Sequence, residues 1–334
     1  MTEATICVVG ASGLVGSNIT KAALARGYTV RGTFRDVTDP TKAPYLLALP
    51  EGEHLELFSA DMANPGAFDP LLENIDCVFI ASLIPTYFGP AGKPAREMED
   101  EQGYQEIVRP TLDGCLNILE SAHGAGVKDV VICSSTSSTN PIPSVPNKNE
   151  VDHWSNEQEQ YSVKKYTSAA KTVMEKAAIQ FTADRDMRLS ILLPTLMLGP
   201  AIIPEHANRG FMKSLANMVA GEPPSHQKIP NDSNSMIHVD DLANLFLAAY
   251  ENPKAKGRYF GVYDSWPWQR IYAAIAELLP DAPMPEPLRE PMIDATSFDF
   301  TRRDSLGVPL RDIPTILKDT ISWLQATGQR LRIN

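Results

Sequence analysis

Three glycines at three-residue spacing, Gly10, Gly13 and Gly16, sit in the stretch from Ile6 to Gly16, ICVVGASGLVG. That spacing serves anion binding. The apolar run ICVV precedes them, and SNITKAALARG follows with helical periodicity that stops at Gly27, so the pattern predicts a buried strand turning directly into a helix. Gly10 permits the tight turn, Gly13 lets the backbone come within hydrogen-bonding distance of a pyrophosphate, and Gly16 lets the helix pack close on the strand. The first N–H groups of such a helix have no partner within it and face the anion.

The next segments supply the rest of a dinucleotide site. YTVRGTFRD reads as a second strand, and the residue at its end selects the cofactor. An acidic side chain there would accept hydrogen bonds from an adenine ribose 2′-OH and repel a 2′-phosphate. Phe34 followed by Arg35 stands in that place, which favours NADP(H). HLELFSADM reads as a third strand ending in Asp61 and Met62, placed to close over adenine, and NIDCVFIAS as a fourth that puts Ala81 and Ser82 near the cofactor's middle. Residues 83–103, LIPTYFGPAGKPAREMEDEQG, read as a long loop above the strand ends, where ligands of such sheets bind. Tyr87 and Phe88 either line a substrate pocket there or pack on the loop itself.

The elements that must position these residues repeat. Strand and helix patterns alternate through YQEIVRPTLDGCLNILESAHGAG and DVVICSSTSS, which implies a right-handed, mostly parallel sheet covered on both faces. The predicted fold is α/β: a doubly wound, mostly parallel Rossmann sheet with a smaller C-terminal substrate lobe. Residues 1–195 with 236–262 form the NADP-binding domain, and 196–235 with 263–334 the substrate lobe. LSILLPTLMLGP is an apolar strand broken by Pro194 and Pro200, and MIHVDDLANLFLAAYENP a strand feeding a helix that Asp240 would cap. The 334 residues are enough for a large core. A net charge of −11 argues against nucleic acid and anionic membranes as partners, and no apolar run is long enough to span a bilayer. The N-terminus enters the first strand without a leader, which predicts a cytoplasmic protein. Cys7, Cys77, Cys115 and Cys133 sit singly in apolar segments without metal-ligand spacing, so no metal is expected.

Together the segments GASGLVGS, GYTVRGTFRD, the DM pair, VRPTLDG, CSSTSS, KTVMEKAA, PTLMLGP and IHVDDLANLFLAAYENPKAKGRY resemble an extended short-chain dehydrogenase/reductase of the dihydroflavonol reductase and cinnamoyl-CoA reductase branch. The resemblance implies an NADPH-dependent carbonyl reductase, reversible as an alcohol dehydrogenase, acting on a small carbonyl or alcohol; a monomer or homodimer is the expected state, which the resemblance does not fix. It places cofactor contacts on Gly10, Ser12, Gly13, Leu14, Val15, Gly16, Arg35, Asp61, Met62, Ala81, Ser82, Pro194 and Thr195. It also implies a serine, a tyrosine and a lysine at the centre. A nucleotide-sugar epimerase or dehydratase is the alternative within the same fold. A non-catalytic NADP-sensing protein is the alternative outside enzymes.

Reducing a carbonyl needs a hydride at carbon and a proton at oxygen. A phenol with an ordinary pKa of about 10 must be made acidic for this, and a shift of about 3 units is worth roughly 4 kcal/mol. A neighbouring ammonium supplies it, while a serine hydroxyl polarises the carbonyl. Ser135 matches the serine and Ser137 matches less well. Lys171 matches the lysine, since KTVMEKAA and the distance to Pro194 suit the branch. The family spacing is Tyr-x-x-x-Lys, which puts both side chains on one helix face. Four residues before Lys171 stands Thr167, with Tyr166 five away. Three readings stay open: Tyr166 with Lys171 through a one-residue π-bulge, Tyr161 with Lys165 at the strict spacing, or loss of the standard tyrosine. His238 reads as structural, and His153 and Trp154 as a loop before the reactive helix.

Overall fold

The computed structural model describes residues 4–83 and 87–333. Seven parallel strands form the main sheet: β1 (Thr5–Val9), β2 (Thr29–Phe34), β3 (Leu55–Ser59), β4 (Cys77–Ile80), β5 (Asp129–Cys133), β6 (Arg188–Pro194) and β9 (Gly257–Gly261). Their order is β3-β2-β1-β4-β5-β6-β9, so the chain winds outward in one direction, returns to β1 and winds outward in the other. This is the predicted doubly wound Rossmann sheet.

Alternation along each buried strand shows why both faces are covered. Ile6, Val8 and Phe79 pack with Phe246 and Leu247 on one face, against α1 (Leu14–Leu24) and α8 (Val239–Glu251). Their neighbours Cys7, Val9, Val78 and Ile80 pack with Ile118, Leu119 and Met174 on the other, against α4 (Arg109–Gly124) and α6 (Tyr166–Ala183). A strand that is apolar at every position satisfies both layers at once. All four cysteines lie in these layers, buried and unpaired.

A second, three-stranded sheet holds β7 (Leu196–Leu198), β8 (Ser233–His238) and β10 (Asp264–Pro267) in the order β10-β8-β7. The apolar run broken at Pro194 therefore becomes two strands in two sheets. A separate core of Leu198, Met212, Leu215, Met236, Trp268, Ile271, Ile316 and Leu317 joins this sheet to α7 (Gly210–Val219), α9 (Trp268–Leu278) and α11 (Ile313–Ile333). Trp266 and Trp268, which flank Pro267, lie on the last strand and the first turn of α9.

Two local expectations are corrected. The cap of α8 is His238, whose Nδ1 accepts from the Asp240 N–H at 3.1 Å, while Asp240 itself receives Lys21 at 2.6 Å. The single helix that the Tyr161 to Lys165 spacing presumes is two helices, α5 (Glu157–Ser162) and α6. Short pieces complete the chain: α2 (Ala43–Leu47), α3 (Asp100–Gly103) and α10 (Thr301–Asp304).

Candidate active site

The turn between β1 and α1 is built as the glycines require. Gly10 has a φ of +80°, and its N–H and that of Ala11 donate to the Thr33 carbonyl at 2.8 and 2.9 Å. A Cβ on Gly10 would lie 2.4 Å from the Ser82 Cβ, and one on Gly16 only 2.1 Å from the Gly10 carbonyl oxygen. Gly13 precedes the first turn of α1, which has neither a side-chain cap nor an acidic residue. Its leading N–H groups are thus open to an anion, and the helix dipole adds to the attraction.

A cleft of about 490 Å³ opens above this turn. Of the residues singled out in the sequence, Gly10, Ser12, Gly13, Arg35, Asp61, Met62 and Ser82 line it. Leu14, Val15 and Gly16 form the helix turn beneath, and Ala81 is buried behind Ser82. Pro194 and Thr195 stand at the end of β6, two strands beyond β4 in the sheet. Tyr87 and Phe88 are exposed, and residues 84–86 of the same loop lie outside the described residues.

The cleft also has a lining that the sequence reading missed: Asp39, Lys42, Glu205, His206 and Arg209. Lys42 had a local signal, seven residues beyond Arg35 in the same polar loop. The other side comes from a segment far along the chain, with no motif of its own. Lys42 is held by Asp39 at 2.7 Å, which lowers the Asp39 carboxyl to about 2, and Arg209 by Glu205 at 2.9 Å. Arg35 forms no ion pair among the described residues. His206 Nε2 carries the proton and donates to the Ser12 carbonyl at 3.1 Å, since a carbonyl only accepts. Its Nδ1 is buried without a hydrogen-bond partner among the described residues, and burial lowers its pKa.

Ser135 lies at the end of β5, beside β4 in the sheet. Its Oγ accepts the Ser137 N–H at 3.2 Å and so caps a short 3₁₀ turn, Thr136–Thr139. The neighbouring serines are committed inward: Ser134 donates to Glu175, and Ser138 donates to the Ser135 carbonyl at 2.9 Å. Glu175 is fully buried and faces Arg258, with Nε 2.8 Å from Oε2 as an ion pair rather than a directed hydrogen bond. Arg258 stacks 3.5 Å over Trp154 and donates to the Glu150 carbonyl at 2.8 Å and the Ser138 hydroxyl at 2.9 Å. Adjacent strands are about 4.8 Å apart, so Arg35, just past the end of β2, and Ser135, just past the end of β5, sit about three spacings, roughly 14 Å, from one another along one sheet edge. A dinucleotide laid across that edge spans such a distance.

Helix α6 decides the tyrosines. It is regular from Tyr166 onward, so each residue advances about 100°. Ala169, Ala170 and Val173 join Tyr166 in a small core with Met98, Ile107 and Val108, about 140° around the helix from Lys171. Tyr166 is fully buried, and its hydroxyl donates to Asp100 Oδ1 at 2.7 Å. Its ring lies on Gly103, where a Cβ would come within 2.6 Å of three ring atoms. Burial and the Asp100 carboxylate push its phenol up to about 12, away from acidity. The inserted residue that would turn Tyr166 toward Lys171 is absent from α6. A π turn occurs instead at Tyr104–Val108, leading into α4 and packed against α6.

The strict pair fares no better. Tyr161 is on α5, which ends with Lys164 at φ +55°. Lys165 N–H donates to the Gln160 carbonyl and Lys164 N–H to that of Tyr161, both at 2.8 Å, a Schellman closure. The helix stops between Tyr161 and Lys165, so their spacing no longer means a shared face. Lys165 is exposed at the start of α6, and the Tyr161 ring lies 6.2 Å from that of Tyr166, with burial raising its pKa. Lys171 is four residues from Thr167 and from Glu175, about 40° to either side on the helix face turned toward the serines. Burial lowers the Lys171 pKa, with Cys133, Glu175 and Cys115 around it.

A model of the NAD dependent epimerase/dehydratase family matches residues 6–262. The chain is 29% identical over 328 residues to cinnamoyl-CoA reductase of Medicago truncatula, covering 96% of this chain and 95% of that protein. It is 31% identical over 319 residues to dihydroflavonol 4-reductase of Gerbera hybrida, covering 89% and 82%. Its fold is similar to yeast methylglyoxal/isovaleraldehyde reductase Gre2 complexed with NADPH, with a TM-score of 0.79 and 21% identity over 98% of this chain and 99% of that one.

Proposed function

The chain belongs to the NAD dependent epimerase/dehydratase family, in the dihydroflavonol and cinnamoyl-CoA reductase branch of the extended short-chain dehydrogenase/reductases, and we propose that it reduces an aldehyde or ketone with NADPH. It is an oxidoreductase whose cofactor is NADP(H). The observation that carries the reading is one cleft joining an uncapped helix terminus over a glycine turn to the Arg35 guanidinium, which has no ion pair among the described residues. The first takes a diphosphate and the second a 2′-phosphate. An epimerase of this family selecting NAD would gain from an acidic residue where Phe34 stands.

When bound, NADPH supplies the hydride. The Ser135 hydroxyl polarises the carbonyl, and the Lys171 ammonium stabilises negative charge at the same point. The Glu175 and Arg258 pair fixes the serine turn behind them. The substrate lies over the ends of β4, β5 and β6, and the protein acts as a monomer or homodimer. Four reduced, buried thiols fit a cytoplasmic setting. No described helix is long and apolar enough to cross a membrane.

The test is NADPH consumption with a panel of aromatic and aliphatic aldehydes and ketones. Oxidation of NADPH by some members supports the reductase. Tight NADPH binding with no turnover across the panel would move the reading to a sensor.

A further inference from the structure

Hydride addition to a carbonyl leaves an alkoxide that takes one proton per turnover, and neither phenol beside α6 shares a helix face with Lys171. Tyr166 is sealed between Gly103 and Asp100, and Tyr161 belongs to a helix that ends before α6 begins. The position that shares the face of Lys171, one turn before it on an unbroken helix, is Thr167. We propose that this chain protonates its product from water, with the Thr167 hydroxyl holding that water between Ser135 and Lys171. The proposal rests on the reductase reading above and adds its proton path.

The chemistry of the groups supports the assignment. A threonine hydroxyl is too weak an acid to act as the phenol does, yet it both donates and accepts hydrogen bonds, as positioning a water requires. Lys171 forms no ion pair among the described residues, so its charge is available to the reacting oxygen. The balance is complete. The carbonyl carbon receives the hydride and its electron pair, and the reduced nicotinamide becomes oxidised. The carbonyl oxygen takes a proton from water. The remaining hydroxide takes one from the Lys171 ammonium, which recovers it from solvent.

Such a site works below the family's ceiling, since a positioned general acid is worth about 10²- to 10⁴-fold. Turnover of 4-nitrobenzaldehyde with NADPH, read by nucleotide fluorescence, tests this in wild type and variants. Tyr161→Phe and Tyr166→Phe are expected to stay within about twofold of wild-type kcat. Thr167→Val, close in shape, should lose about tenfold in kcat with NADPH affinity unchanged, and Thr167→Tyr should gain about tenfold or more. A loss of about 100-fold in a folded Tyr161→Phe or Tyr166→Phe protein would overturn the proposal, as would wild-type kcat in Thr167→Val. NADPH binding with no turnover by wild type or Thr167→Tyr would overturn the reductase reading itself.

Discussion

Replacing Glu175 by Gln removes the counter-charge of a guanidinium that is almost wholly buried. The side chains of Arg258 and Glu175 are 4% and 0% exposed, so water cannot screen the loss. Arg258 keeps its carbonyl acceptors and its stack on Trp154, but no other carboxylate pairs with it among the described residues. Breaking such a buried pair typically costs about 3–5 kcal/mol. With a urea dependence near ~3 kcal/mol per molar, the unfolding midpoint should fall by about 1 M or more. Trp154 reports the change directly, because its ring lies 3.5 Å from the guanidinium. The assay is urea unfolding by tryptophan fluorescence, paired with kcat for a reducible carbonyl. Because Ser134 and Ser138 hang on the same pair, kcat should fall while NADPH affinity holds. A midpoint within ~0.3 M of wild type would refute the claim that this ion pair braces the serine turn.

Three further outcomes follow from the cofactor cleft. Arg35→Ser should weaken NADPH by about tenfold or more and leave NADH nearly unchanged, since a charged hydrogen bond is worth about 1.5–3 kcal/mol; fluorescence titration measures both. Gly16→Val should abolish binding of either nucleotide and lower the melting temperature, because its Cβ would fall 2.1 Å from a backbone oxygen that cannot move aside. Burial lowers the His206 pKa, so the unfolded chain binds the proton more readily and the neutral ring contributes stability that is lost as pH falls below about 6.5. Melting temperatures between pH 8 and 5 should therefore drop more steeply in wild type than in His206→Gln.

Much of the sheet was legible because its signals are local. ICVV and CVFI are apolar at every position, which a strand buried on both faces requires, and glycines mark where β1 must turn. The glycine turn and Arg35 were readable for the same reason, since contiguous residues build them. What escaped depends on distant partners. His206 reaches Ser12 across the chain, and only the folded molecule brings it there. The tyrosines show the same limit from another side. Spacing assigns two residues to one face only if the helix between them is continuous and regular. Lys164, a lysine in the left-handed region, ends α5 without the glycine that usually announces such a stop. The π-bulge that one of the three readings placed before Lys171 is absent from α6, and a π turn occurs at Tyr104–Val108 instead, where the residue spacing carries no sign of it.

Hydride tracing bears most directly on the central assignment. NADPH carrying deuterium at C4 on the transferred face is incubated with the protein and a reducible aldehyde, and the alcohol is weighed by mass spectrometry. The account predicts one deuterium on the carbinol carbon at the rate of NADPH loss. Alcohol without deuterium from either labelled face, or no alcohol while NADPH is bound, would contradict it.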